Sequence, residues 1–425
     1  MASYNKIEKK IADYLKKNPS LKRTIKKTYQ YFSYLFYKKK KKVVCNYDVV
    51  PINNDEHESY FGYYDKNPYK NGRVLYQEIE GNSYEIPLKK ILKEEFIYIV
   101  IKENNDIIYK NKTYAFNWQQ GSKPQWISDN QIVYNNIIDG KTRAVIYSIN
   151  DRKEVILEYP IYDSFKNLFY LSINYEVLSS LRPDYGYFKK NGWNNTNYYQ
   201  QSIIYCEYNK KPYSLIKIDD INKKFPIHEN ISYEKQKLNH IMISPDGKLF
   251  LFLHRFYGAK NERNDRLFIA SMKKMPDTNL ALLNNTKMVS HYCWIDSNSF
   301  IVYMNFNNLT GYYIVNINDN LELKIEKLDI PNLDKYGDGH PTYIGDNKFI
   351  TDTYPDKSRN KHLLLVDIDN NKVDVLGSFW EPLKYYEESR CDLHPKWDKD
   401  NKCIYIDSVH TGKRKLYKIG PIIIG

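Results

Sequence analysis

Turns built on aspartate recur about every 50 residues in the second half of this chain, at Asp246, Asp296, Asp346 and Asp400. An apolar β-patterned run follows each one: Leu249–Leu253, Phe300–Tyr303, Phe349–Asp352 and Cys403–Asp407. A second such run lies beyond it, as in Arg266–Ala270, Tyr312–Val315, His362–Val366 and Lys415–Ile419. Asp, Asn and Gly tolerate the left-handed backbone of a tight hairpin, so each unit reads as turn, strand, hairpin, strand. A repeat of this length holds about four strands, which is the size of one propeller blade. Earlier turns at Gly72 and Asn130 and a degenerate unit near Leu171–Leu178 bring the expected count to seven. The count becomes eight if residues 186–240 hide another. The expected class is therefore all-β, a propeller over residues 45–425, with 184–202 and 378–390 as loops.

Histidine placement follows the repeat. His240, His291, His340 and His394 stand at the entry of a unit, six or fewer residues before its turn aspartate. His254 and His410 lie just past the following strand. Inner strands of a propeller line its axis, so imidazoles at equivalent positions should converge there, where they suit a transition metal or acid–base chemistry. Asp338, Asp352, Asp392 and Asp407 offer carboxylates, and Arg182, Arg255, Arg266, Arg390 and Arg414 offer forks for an acidic sugar. The competing structural reading is that Asp–His pairs only knit blades together. The aromatic stretch within His57–Lys66 reads equally as a sugar platform or as a first strand sealing the disc.

The net charge of +13 is local. Residues 1–44 contain fourteen Lys or Arg against two acids, Glu8 and Asp13, while the whole chain has 64 against 51. The body is thus nearly neutral, which argues against nucleic acid as a partner. Residues 5–42 read as a basic amphipathic helix, with Ile7, Ile11, Leu15, Leu21, Ile25, Tyr29, Phe32 and Phe36 at three- and four-residue steps. Asn18-Pro19-Ser20 interrupts it and Lys38–Lys42 closes it. Its apolar stretch is too short to span a bilayer, and the pattern fits an anionic membrane surface or a solvated tail. Five scattered cysteines without a CxxC pair and a start without an apolar leader lead to an expected cytoplasmic location, peripheral on the inner face of the membrane. No GxSxG elbow, P-loop or GxGxxG is present.

Several motifs resemble a bacterial propeller family whose members look like products of surface-polysaccharide gene clusters. They are Tyr60-Phe61-Gly62-Tyr63-Tyr64-Asp65-Lys66, Asn117-Trp118-Gln119-Gln120-Gly121, Leu181-Arg182-Pro183-Asp184-Tyr185-Gly186-Tyr187, Phe252-Leu253-His254-Arg255, Val289-Ser290-His291, Asp338-Gly339-His340, Thr351–Asp356 and Asp407–Arg414. The match covers about residues 57–419, and the family is distantly similar to the oligogalacturonate lyases. That resemblance implies a seven-bladed propeller holding a manganese-type divalent ion. His340, Asp392 and His394 would be its ligands, Asp392 standing where the lyases have a histidine. It also implies His291 as base and Arg255 or Arg266 as the group neutralising a uronate. Tyr63, Asp65, Gln120, Arg182, Tyr185, His254, Arg390, His410 and Arg414, in or near these motifs, become candidate contacts to an acidic oligo- or polysaccharide. The expected activity is β-elimination; the alternative is a glycan-binding or scaffold propeller without catalysis.

Overall fold

The structure is a computed structural model that describes residues 19–37, 43–53, 56–88, 95–188, 201–208, 210–227, 231–258, 262–275, 277–284 and 288–423. Its strands form seven antiparallel sheets, the seven blades of a propeller, each following the chain from the inside outwards. The innermost strands are Glu58–Tyr60, Gln125–Trp126, Asp163–Phe165, Gln236–Ile243, Val289–Trp294, Thr342–Gly345 and Lys396–Asp398. Blade 7 takes its outer strand from the start of the body: Val49–Pro51 pairs with Tyr417–Ile419, which closes the ring. Val44–Cys45 adds a fifth strand to blade 6 beside Gly377 and Ser378.

Leu249–Tyr257 of blade 4 shows why its strands are apolar at every position instead of alternating. Phe250 and Phe252 pack into one core cluster with Phe268 and Ala270. Leu251 and Leu253 face the other way, into a cluster with Val289, Tyr292 and Phe300 of blade 5. A blade has a neighbour on each face, so both faces are buried, and each large side chain contributes about 1.5–3 kcal/mol.

No eighth blade exists among the described residues. Phe169–Ser172 is the second strand of blade 3, and a helix, Tyr175–Leu181, follows it at once. Asn174 caps that helix by accepting from the amides of Glu176 and Val177. Ser202–Glu207 and Tyr213–Lys217 then complete the blade. The repeat looked degenerate because an insertion separates its second and third strands. Residues 378–380, expected in a loop, instead end the strand Lys372–Trp380. The helix expected over 5–42 is present as Pro19–Tyr37, and residues 1–18 and 38–42 lie outside the described residues.

A segment after the first inner strand fills the axis. Phe61 and Gly62 donate their amides to Asp407 of blade 7, at 2.9 Å each. Asp65 pairs with Lys123 at 2.7 Å and Lys66 with Asp163 at 2.5 Å. The Tyr64 hydroxyl donates to the Tyr292 carbonyl of blade 5. Gly62 has φ +104°, and a Cβ there would stand 2.9 Å from the Gln120 backbone. Tyr60, Phe61, Tyr63 and Tyr64 are all buried. Of the two readings of this stretch, the structure has the seal and not an open sugar platform.

Candidate metal centre

His240, His291, His340 and His394 meet on the axis above this plug. Ring centroids lie 6.2 Å apart for His240–His291, 4.0 Å for His291–His340 and 4.3 Å for His340–His394. They come from the inner edges of blades 4, 5, 6 and 7, so four separate repeats supply one cluster. None is more than 6% exposed. Tyr63 and Tyr64 form the floor, with centroids 5.3 Å from His394 and His340 respectively. Tyr354 and Tyr185 flank His340 and His240.

The backbone is forced to present these rings. His240 and His394 have φ of +54° and +46°, a left-handed conformation that non-glycine residues seldom adopt. Hydrogen bonds hold both in place: the His240 amide donates to the Tyr162 hydroxyl at 2.7 Å, and that of His394 to Asp352 Oδ2 at 3.0 Å. Gly339, before His340, is so close to the Asp352 carbonyl that a Cβ would lie 1.8 Å from it.

Carboxylates fix the tautomers. Asp352 Oδ1 accepts from His340 Nδ1 at 2.8 Å, so that in the neutral ring the lone pair is on Nε2. Asp338 Oδ1 does the same for His291 Nδ1 at 3.1 Å. Nε2 of His340 and Nε2 of His394 are buried with no hydrogen-bond partner. Leaving a buried polar atom unsatisfied costs about 1–3 kcal/mol, and a cation held between the two rings would satisfy both where Nε2 carries the lone pair. His340, Asp392 and His394 each offer a ligand atom within 4.8 Å of the others. Two imidazole nitrogens and a carboxylate are a donor set for a first-row divalent ion.

The electrostatics divide the rings. Burial lowers the pKa of His340, but Asp352, Asp392 and Asp338 outweigh it and the net direction is up, so the carboxylates favour a positive charge at Nε2, either a proton or a metal ion in its place. Burial and the neighbouring His340 push His291 down, and the same two causes push His394 well down. For His240, burial and then Arg255 do so. Burial raises the pKa of Asp392, but Lys361 and Arg390 more than reverse this and keep it ionised. A chain of ions runs outwards from it: Arg390 to Asp392 at 2.8 Å, Arg390 to Asp184 at 3.1 Å, and Arg182 to Asp184 at 2.7 Å. Arg182 also lies over the Tyr185 ring.

Other expected site residues sit elsewhere. Arg255 is on the wall between blades 4 and 5, paired with Asp265 and donating to the Val289 carbonyl. His254, on the same second strand as Arg255, faces Arg266 on the third strand, and Arg266 Nη2 donates to His254 Nδ1 at 2.7 Å. The expected convergence of His254 and His410 on the axis does not occur: both belong to second strands or their ends. His410 packs on Tyr417, at 4.4 Å, in blade 7. Gln120 bonds the Tyr162 hydroxyl, and Asp65 is taken up by Lys123. The Arg414 guanidinium is spent on Ser83 and on the carbonyls of Trp118, Ser389 and Arg390. These last three hold the fold around the site.

Sequence reasoning passed over Lys237 and Asn239, next to His240. Lys237 is buried opposite Arg255, and its pKa is pushed down to about 5 by burial and then by Arg182 and Arg255. Both amide atoms of Asn239 are buried without a partner. The Lys-x-Asn-His spacing at the start of a unit was the available signal.

Among solved structures the chain is similar to an oligogalacturonate lyase in complex with manganese, at 12% identity and TM-score 0.58, covering 89% of this chain and 96% of that one. The oligogalacturonate lyase of Vibrio parahaemolyticus matches at 10% identity and TM-score 0.55, covering 89% and 98%. The propeller domain of a protease from Pyrococcus furiosus matches more loosely, at 10% identity and TM-score 0.47, covering 85% and 97%. These likenesses show the fold. No family model and no curated protein matches the chain.

Proposed function

We propose that this propeller is a metal-dependent lyase-like enzyme that cleaves an acidic, uronate-containing glycan of bacterial surface-polysaccharide metabolism by β-elimination. The observation that carries the reading is the pair of orphaned Nε2 atoms of His340 and His394 beside ionised Asp392, next to a neutral His291. The similarity to lyases, one of them solved with manganese, agrees with it. A divalent ion held by His340, Asp392 and His394 would polarise a uronate carboxylate and so acidify the C–H bond beside it.

The chain's own residues supply the rest. Asp338 orients His291 with Nε2 free to accept the C5 proton. Arg255, paired with Asp265 but with its charge acting on His240, offers positive charge to the carboxylate as negative charge develops. The C5–H electron pair forms the C4–C5 double bond, the C4–O bond breaks, and the departing sugar oxygen takes the proton that His291 Nε2 accepted. Both Tyr63, bonded to His240 at 2.7 Å, and Tyr64 keep water out from below.

The test uses purified protein, its metal content, and acidic against neutral glycans, with unsaturated-uronate absorbance as readout. His291→Ala should retain the ion and lower turnover by roughly 10²–10⁴-fold, the usual size of a general-base contribution. Full turnover in that variant, or no unsaturated product from any acidic glycan, contradicts the reading. The second reading, a glycan-binding or scaffold propeller, is favoured by the near-closure of the four histidines, and an ion bound without turnover would support it.

A further inference from the structure

We propose that the helix Pro19–Tyr37 docks the protein on the surface of an anionic lipid bilayer, with the histidine face of the propeller turned towards the lipid. The helix leaves Ile25, Tyr31, Phe32, Leu35 and Phe36 exposed, Phe36 at 84%. Ile25, Tyr29, Phe32 and Phe36 recur at three- and four-residue steps, so they form one stripe. The helix rests on the propeller through Tyr34, stacked on Trp380.

Charge selects the partner. Lys22, Arg23, Lys26 and Lys27 lie in the helix and Lys38–Lys42 follow it, while no Asp or Glu occurs between Asp13 and Asp48. Nucleic acid or an acidic protein surface would take the charge and leave the exposed rings in water. An anionic bilayer takes both: headgroups meet the lysines, and aromatic rings settle at the interface. No described helix is long and apolar enough to cross a membrane, so the contact is interfacial.

Topology sets the orientation. Trp380 ends the outer strand of blade 6, and the chain then reaches His394 and the inner strand of blade 7. His340 likewise precedes the inner strand of blade 6. The helix therefore sits at the rim of the face on which the histidines lie, within reach of a glycan carried on lipid. Docking itself does not depend on the metal reading.

The experiment sediments the full chain with vesicles of phosphatidylcholine alone, or with roughly a third phosphatidylglycerol. Binding to the anionic vesicles should be at least tenfold tighter and should weaken as salt rises. Phe32→Ser combined with Phe36→Ser, both at exposed positions, should reduce it about tenfold or more with the circular dichroism unchanged. Lysine acetylation should show bound vesicles protecting Lys384, exposed on the histidine face, and sparing Lys399, exposed in a turn on the opposite face. The proposal is overturned by absent vesicle binding, by binding indifferent to the double substitution, by self-association that the substitutions abolish without any vesicle binding, or by protection of Lys399 instead.

Discussion

Replacing His340 with alanine is expected to abolish stoichiometric divalent-metal binding while leaving the propeller folded. The substitution removes one orphaned Nε2 and the ring that Asp352 holds. Loss of a partner behind a ligand already costs about 10–100-fold in metal affinity, so loss of the ligand itself should exceed 100-fold. Asp352 does not become an unpaired buried charge, because it still accepts the backbone amides of residues 340 and 394, at 2.8 and 3.0 Å in the native chain. Calorimetric titration of chelator-stripped protein with manganese, beside a thermal melt, checks both halves. Unchanged affinity would remove His340 from the metal centre.

Lys361→Met is expected to do the reverse, damaging the fold before the chemistry. Lys361 is buried, and its ammonium donates to Glu381 at 2.7 Å, the Cys391 carbonyl at 2.6 Å and Asp392 at 3.3 Å. Methionine replaces the volume but leaves two carboxylates and a carbonyl short of a donor. Breaking a buried ion pair from one side costs about 3–5 kcal/mol, because the charges left behind are neither solvated nor fully paired. Arg359 and Arg390 still neutralise part of that charge, which places the expected loss near the lower end. Denaturant unfolding of the variant reads it directly. A loss under about 1 kcal/mol would mean that water reaches Asp392 and Glu381 in the folded state.

Much of this architecture was legible because turn chemistry and strand pattern agree in blades 4 to 7. Asp246, Asp296, Asp346 and Asp400 all head hairpins in the structure. Blade 3 was legible only as a degenerate unit, since the helix Tyr175–Leu181 lies inside it and breaks the period. The four axial histidines could be grouped from sequence because each enters a repeat at the same place. His254 could not be separated from them, for a one-strand displacement is invisible until pairing puts it across from Arg266. Arg414 and Gln120 carry side chains that would suit a sugar, and only burial against backbone carbonyls and Tyr162 reveals how they are used. Lys237 and Asn239 went unremarked because a lysine and an asparagine at a strand start ordinarily face water.

Anomalous diffraction from crystals soaked in manganese puts the shared centre to its most direct trial. A single strong peak in ligand contact with Nε2 of His340, Nε2 of His394 and the Asp392 carboxylate is the predicted result. A peak bound elsewhere on the chain, or no peak at these three side chains at saturating ion, would contradict it.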